Sequence, residues 1–233
     1  MARGMPEVSV VIPTMNEEAS IGAVIDEVHT ALVDWDLEVL IVDTDSRDRT
    51  RDIAMEKGAR VVPQPRRGYG RAYKTGFAAA TGTFIATLDA DLTYPAYRFP
   101  DFLAPLAEDR ADFVSGDRLS GLSNGTMTGM HRVGNEILNI AFRSLYDSGV
   151  RDSQSGMWSF RRSILPRLQL LHDGMAFSEE LKLEVIRAGF RFLEIPIEYR
   201  IRVGDKKIRS VSDATGNLIW LARKRVGWVP RVG

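Results

Sequence analysis

The feature that most limits the fold is the alternation of short apolar runs with amphipathic stretches through the first ninety residues. The runs at 7–13, 38–42, 60–62 and 83–88 are short and mostly β-branched, aromatic or aliphatic, and read as strands. Between them, Asn16 can cap a helix that starts at Glu17, and Ile21, Val24, Ile25, Val28 and Leu32 share one helical face. A second helix is expected over 48–57, stopped by Gly58, and a third over 72–80, after a flexible basic loop Gly68-Tyr69-Gly70-Arg71. Strand–helix alternation at this spacing predicts an α/β fold with a central, mostly parallel sheet flanked by helices. Ligands bind such sheets beyond the carboxyl ends of the strands. Here those ends carry Asn16-Glu17, Asp43-Thr44-Asp45 and Asp89-Ala90-Asp91. Three polar clusters on one sheet edge form a nucleotide-site pattern.

The acidic pair is the sharpest of the three. Asp89 and Asp91 follow Leu88 just where a buried strand should end, and carboxylates are costly to bury unpaired. Hard oxygens suit Mg²⁺ or Mn²⁺, and Mg²⁺ commonly takes one or two carboxylates and fills its remaining positions with water and substrate phosphates. An isolated D-x-D can also be a solvated cap; the two neighbouring clusters favour the cation. Other motifs carry less. Gly68-Tyr69-Gly70 lacks the third glycine of a dinucleotide fingerprint, Gly70 to Gly76 lacks P-loop spacing, and His29, His131 and His172 do not cluster.

The later chain is less regular. A strand is expected at 112–115, a polar loop at 119–129, a helix at 132–146, turn then strand at 155–160, a helix at 177–188 with Gly189 as its stop, a strand at 191–197 and a last helix from Ser212 to Arg225. Without repeats or linkers, residues 1–233 read as one domain. Its last stretch, 212–233, is an amphipathic basic segment. Lys+Arg and Asp+Glu both number 31, so overall charge gives no argument for nucleic acid. With no cysteine, disulfides and thiolate metal sites are excluded, compatible with a cytoplasmic location. The opening residues lack a signal-peptide apolar core, and the run Leu218-Ile219-Trp220-Leu221-Ala222 is too short to span a bilayer. That run lies beside Arg223-Lys224-Arg225 and Trp228, which suits peripheral contact with an anionic membrane surface on its cytoplasmic face.

Taken in order, Val11-Ile12-Pro13-Thr14-Met15-Asn16-Glu17, Val42-Asp43-Thr44-Asp45-Ser46, Asp89-Ala90-Asp91, Ser155-Gly156 and Glu194-Ile195-Pro196-Ile197 resemble the family 2 glycosyltransferases. The resemblance covers nearly the whole chain and is nearest to the dolichyl- and polyprenyl-phosphate hexosyltransferase branch. It implies a GT-A, Rossmann-like fold, a nucleotide-sugar donor of the GDP-mannose or UDP-glucose type, a divalent metal and a polyprenyl or dolichyl phosphate acceptor. It also implies a nucleotide-sugar-binding half at 1–116 and an acceptor-binding half at 117–211. By the same resemblance Pro13, Met15, Glu17, Asp43 and Thr44 would line the base and ribose pocket. Asp89 and Asp91 would hold the metal with Ala90 packed beside it, and Thr93, where the family usually has Gln, would be a third metal contact. Arg118 and Arg132, grouped with Asp91 as catalytic, would face the acceptor phosphate or the pyrophosphate, and Arg202 and Lys207 would close the phosphate site. The sequence departs from the family at Met15, at Asp43-Thr44-Asp45 and at Gly204-Asp205-Lys206-Lys207.

The chemistry has matching needs. Negative charge develops on the leaving diphosphate, and a cation there stabilises it. An acceptor that is a phosphate monoester is already anionic and needs cations, for which Arg is suited by its bidentate fork. A hydroxyl acceptor would instead need a carboxylate base, for which Asp152 and Glu180 are the candidates. A non-catalytic sugar-nucleotide-binding subunit is the remaining alternative. Glu180 has a structural reading as well, since Glu179-Glu180 would open a helix whose N-terminus favours anions.

Overall fold

The structure, a computed structural model, describes residues 6–120, 129–146, 148–204 and 210–225; at 129–135, 210–215 and 218 only the backbone is described. Strand β1 (Val8–Thr14) is buried along nearly its whole length because both of its faces are covered. Its side chains alternate: Val8, Val10 and Ile12 enter one apolar layer and Val11 the other. The first layer is filled by α1 (Ile21–Ala31), α2 (Thr50–Glu56) and α4 (Phe99–Ala107). The second is filled by α3 (Tyr69–Ala79) and α6 (Phe177–Arg187), where Tyr73, Phe77, Trp158, Phe160 and Phe177 stack and tilt against one another at 5.0–6.2 Å. Helices α5 (Gly129–Tyr146) and α7 (Ser210–Arg225) pack together, and Phe142, Leu183 and Leu221 form a smaller cluster with α6.

The sheet adds β2 (Leu37–Asp43), β3 (Arg60–Pro63), β4 (Phe84–Thr87), β5 (Phe113–Asp117), β6 (Trp158–Arg161) and β7 (Phe192–Pro196) in the order β3-β2-β1-β4-β6-β5-β7. Pairing is parallel except around β6, which runs antiparallel to both β4 and β5. The register aligns the carboxyl ends: Thr14 lies opposite Asp43, Asp43 opposite Pro63 and Asp117 opposite Pro196. The reversal of β6 brings its leading turn, Ser155-Gly156, to that same rim.

Three local expectations change. Helix α1 starts at Ile21 rather than Glu17; Asn16 has φ 54°, and a turn hydrogen-bonded from Ile21 N to Glu17 O (2.9 Å) precedes the helix. Tyr69, Gly70 and Arg71 are the first turn of α3, not a loop. The glycines there serve close approach: a Cβ on Gly70 would lie 2.5 Å from the His172 carbonyl oxygen and 2.6 Å from Phe177. Helix α4 is a further element, hidden in the sequence by Pro95, Pro100 and Pro105; Pro100 sits in the first turn, where no N–H is needed. The polar loop expected at 119–129 lies largely outside the described residues.

Candidate active site

The acidic pair stands where β4 leaves the sheet. Thr87 ends the strand, its hydroxyl donating to the Gly156 carbonyl at 2.9 Å and accepting from Trp158 N at 3.1 Å, so β4 and the turn before β6 are fixed together. Asp91 is buried, and Oδ1 accepts from the Thr93 backbone N (3.0 Å) and hydroxyl (2.5 Å). Its Oδ2 faces the Arg202 guanidinium at 2.6 Å. Among the described residues Asp89 has one long hydrogen bond, from Tyr73 at 3.4 Å. Burial, and next the charge of Asp91, push its carboxyl up to about 7, against the pull of Arg202 and Arg118. Two adjacent carboxylates, one resisting ionisation because of burial and its neighbour's charge, fit a divalent cation. Among the described residues no third His, Asp or Glu joins them, so substrate and water oxygens would complete the shell. Thr93 does not present itself as the third ligand. Its hydroxyl orients Asp91 instead.

The phenols around Asp89 escaped the sequence reading. The Tyr94 hydroxyl oxygen accepts from Gly156 N–H at 2.7 Å, and Tyr69 lies against Gly156 so closely that a Cβ there would meet its oxygen at 2.5 Å. The i, i+4 spacing of Tyr69, Tyr73 and Phe77 on α3 was the available signal.

On the donor side the loops after β1 and β2 are laced together. Asp43 is buried; it accepts from the Thr14 hydroxyl (3.1 Å) and from both Ser46 N (3.0 Å) and Ser46 Oγ (2.5 Å). Thr44 N donates to Thr14 O, Glu17 N to the Thr50 hydroxyl, and Asn16 N to Ser46 Oγ, at 2.7–2.8 Å. Asn16 therefore braces this rim instead of capping α1. Pro13 and Met15 are half-buried beside them, and Ala90 is buried between the two aspartates. The stretch after β7 joins the two ends of the rim. Arg200 N donates to Thr93 O and Val203 N to Asp91 O, both at 3.0 Å, while a Cβ on Gly204 would lie 3.5 Å from Glu17 Oε2. Pro13, Met15, Glu17, Asp43, Thr44, Asp89 and Asp91 thus share one edge.

Arg118 is the first residue past β5, and its fork is already used. Nε and Nη2 donate to Asp152 Oδ2 (2.7 Å) and Oδ1 (2.9 Å), and the guanidinium carbon lies 5.2 Å from the centre of the Tyr199 ring. The expectation of a fork open to phosphate is corrected to a cation with one free edge. Asp152 is fully buried; burial opposes its ionisation, but Arg118 and Lys182 hold it below the usual carboxylate range. Lys182, also buried, donates to the Asp152 carbonyl at 2.5 Å and is pulled by burial down to about 8. Glu180 accepts from Leu171 N (3.0 Å), His172 N (2.7 Å) and Lys224 (2.7 Å). The carboxylates of Asp152 and Glu180 are thus both taken up by these partners. Arg202 pairs with Asp91. The side chain of Arg132 and all of Lys207 lie outside the described residues.

The last helix differs from the expected interfacial one. Trp220, Leu221 and Lys224 face the protein: Trp220 meets the His172 ring at 4.7 Å, Leu221 is fully buried, and Lys224 reaches Glu180 and Glu184. The outward face keeps Ile219, Ala222, Arg223 and Arg225.

A mostly parallel sheet whose carboxyl rim gathers an acidic pair, a laced donor pocket and a buried arginine is the architecture of a GT-A glycosyltransferase. The chain belongs to glycosyl transferase family 2, whose family model matches residues 9–168. It is 37% identical over 212 residues to the low-salt glycan biosynthesis hexosyltransferase of Haloferax volcanii, covering 89% of this chain. This chain spans about half (51%) of that relative's length. It is 36% identical over 202 residues to the dolichyl-phosphate hexose transferase of the same organism, covering 87% of this chain and 86% of that one. Among solved structures it resembles glucosyl-3-phosphoglycerate synthase from Mycobacterium tuberculosis, crystallised with Mn²⁺, UDP and phosphoglyceric acid. The TM-score is 0.77 at 22% identity, over 97% of this chain and 80% of the other. That likeness concerns the fold.

Proposed function

We propose that the protein transfers a hexose, with inversion, from a nucleotide sugar to a polyprenyl or dolichyl phosphate, using a divalent cation at Asp89 and Asp91. The observation that carries this reading is the acceptor side. Arg118 is built into the rim that carries the acidic pair, its charge acting on Asp89, while the two candidate bases, Asp152 and Glu180, are fully engaged. A phosphate acceptor suits such a site, because it arrives as an anion and has no proton to lose before attack. The reading is supported by the relative named a dolichyl-phosphate hexose transferase.

Each residue then has a task. Asp43, Thr44 and Glu17, with Pro13 and Met15, hold the base and ribose. Thr93 fixes the rotamer of Asp91. Bound at the two carboxylates, Mg²⁺ or Mn²⁺ supplies Lewis-acid stabilisation of the charge gathering on the leaving diphosphate. Arg118 draws the acceptor phosphate towards the anomeric carbon, and Arg202 adds positive charge beside Asp91. Arg132 and Lys207 are assigned to the same phosphates by the family resemblance.

Among the described residues no helix is long and apolar enough to cross a membrane. Peripheral contact on the cytoplasmic face is proposed through Ile137 and Ile140 of α5 and Ile219 of α7, each about half exposed, with Arg223 and Arg225 alongside. The test is incubation with Mn²⁺, labelled nucleotide hexoses and polyprenyl phosphate in detergent. A metal-dependent, lipid-extractable product is expected, and its absence with both GDP-mannose and UDP-glucose overturns the acceptor assignment.

A further inference from the structure

We propose that Asp152 is a positioning residue, whose carboxylate turns Arg118 into a one-edged cation aimed at the acceptor. The inference rests on the reading that Arg118 meets an anionic acceptor. Arg118 has five N–H donors. Two of them, with its own backbone N at 3.0 Å, are taken by Asp152, whose Oδ1 also accepts Gln154 N at 3.2 Å. Tyr199 lies under the guanidinium plane. Edge and face are therefore fixed, and the Nη1 side, unpaired among the described residues, remains for substrate.

The loop that carries Asp152 is itself held group by group from three elements. Glu194 of β7 accepts Arg151 N (2.8 Å) and Asp152 N (3.0 Å). Lys182 of α6 donates to Asp152 O (2.5 Å). Asn139 of α5 accepts Ser153 N (2.9 Å) and Oγ (2.7 Å). A buried ion pair is a costly way to fill space, and an apolar core would do that at least as well. Here the charges hold one arginine just past the end of β5, on the rim that carries the acidic pair. An amide at position 152 would offer one acceptor oxygen and turn an NH₂ against the guanidinium, so Asp152→Asn should release the fork without removing volume.

Asp152→Asn, Arg118→Lys and the double variant are compared by steady-state kinetics, and the Arg118 side-chain Nε–H resonance is followed by NMR, assigned through its loss in Arg118→Lys. Asp152→Asn is expected to raise the acceptor KM about tenfold, the size of a lost charged hydrogen bond, with the donor KM unchanged. The acid limb of the pH–rate profile is expected to stay in place. The Arg118 resonance is expected to lose its protection from exchange, and the double variant to be no worse than Arg118→Lys. A lost acid limb with the resonance intact would make Asp152 a base; additive losses in the double variant would make it independent of Arg118. Either overturns the proposal. Should Asp152→Asn not fold, Lys182→Met, which frees the loop carbonyl, is expected to give a smaller acceptor KM rise with the same resonance change. Wild-type values for both overturn the proposal. If wild-type protein glycosylates no polyprenyl phosphate, the acceptor assignment fails while the resonance still decides the positioning.

Discussion

The two halves of the rim solve the problem of buried charge in opposite ways. In the first half, Asp43 is satisfied mainly by hydroxyls and the Ser46 N–H, with Arg51 at 3.7 Å, and among the described residues the ion pair made by the Asp89/Asp91 pair is with Arg202, reaching over from the stretch after β7. In the second half most buried charges bring their own partner: Arg118 has Asp152, Lys182 lies against the Asp152 carbonyl and Glu180 has Lys224, with Glu179 the exception. The first half is a site that gains from a cation supplied from outside. The second is a pre-arranged scaffold that keeps its cations in place before any substrate arrives.

That contrast can be broken by substitution. Asp91→Asn should lower transfer by about 10³-fold, with loss of Mn²⁺ binding by calorimetry and little change in melting temperature. The opposite pattern is expected of Lys224→Met. It strands Glu180 in the interior and should destabilise the fold by roughly 3 kcal/mol in urea titrations, with a smaller effect on turnover of the folded fraction. Gly156→Ala joins the halves: its Cβ would crowd Tyr69 and come within 3.5 Å of Asp89, so about tenfold lower kcat is expected with modest loss of stability.

A pH scan sharpens the comparison. Glu179, buried and held mainly by Gln154, is pushed by burial up to about 8 from an ordinary 4.5. As pH rises above 4.5 the unfolded chain releases this proton first, so stability falls between about 4.5 and 8 and then levels. Glu179→Gln should flatten that part of the melting-temperature profile and leave the share due to Asp89, which titrates near 7. The smallest effect on stability is expected at the outer face. Ile137→Asp with Ile219→Asp should change it by only about 0.5 kcal/mol. Sedimentation with anionic vesicles should nevertheless drop, and unchanged sedimentation would remove the membrane contact.

The first half was the more legible in sequence because its strands are buried on both faces and end abruptly in polar clusters. β1, β2 and β4 could be placed from apolar runs, and Asp43, Asp89 and Asp91 from where those runs stop. The direction of β6 left no mark in four residues, since it is set by what the strand pairs with. Helix α4 was masked by prolines that its first turn and its end tolerate. The fork of Arg118 looked free because Asp152 is 34 residues away and the contact is purely tertiary. In α7 the basic and aromatic residues were visible, but which of them turned inward depended on Glu180 and His172 of a neighbouring layer.

The two outer strands of the sheet have a consequence for behaviour in solution. β3 has four residues and β7 five, and each ends in a proline, Pro63 and Pro196, which has no N–H to offer. β3 also opens with Arg60, a charge at the place where a second molecule would have to align. Seven strands in one sheet would otherwise be a template for edge-to-edge stacking; this pair of blunted margins disfavours that route to aggregation at high concentration.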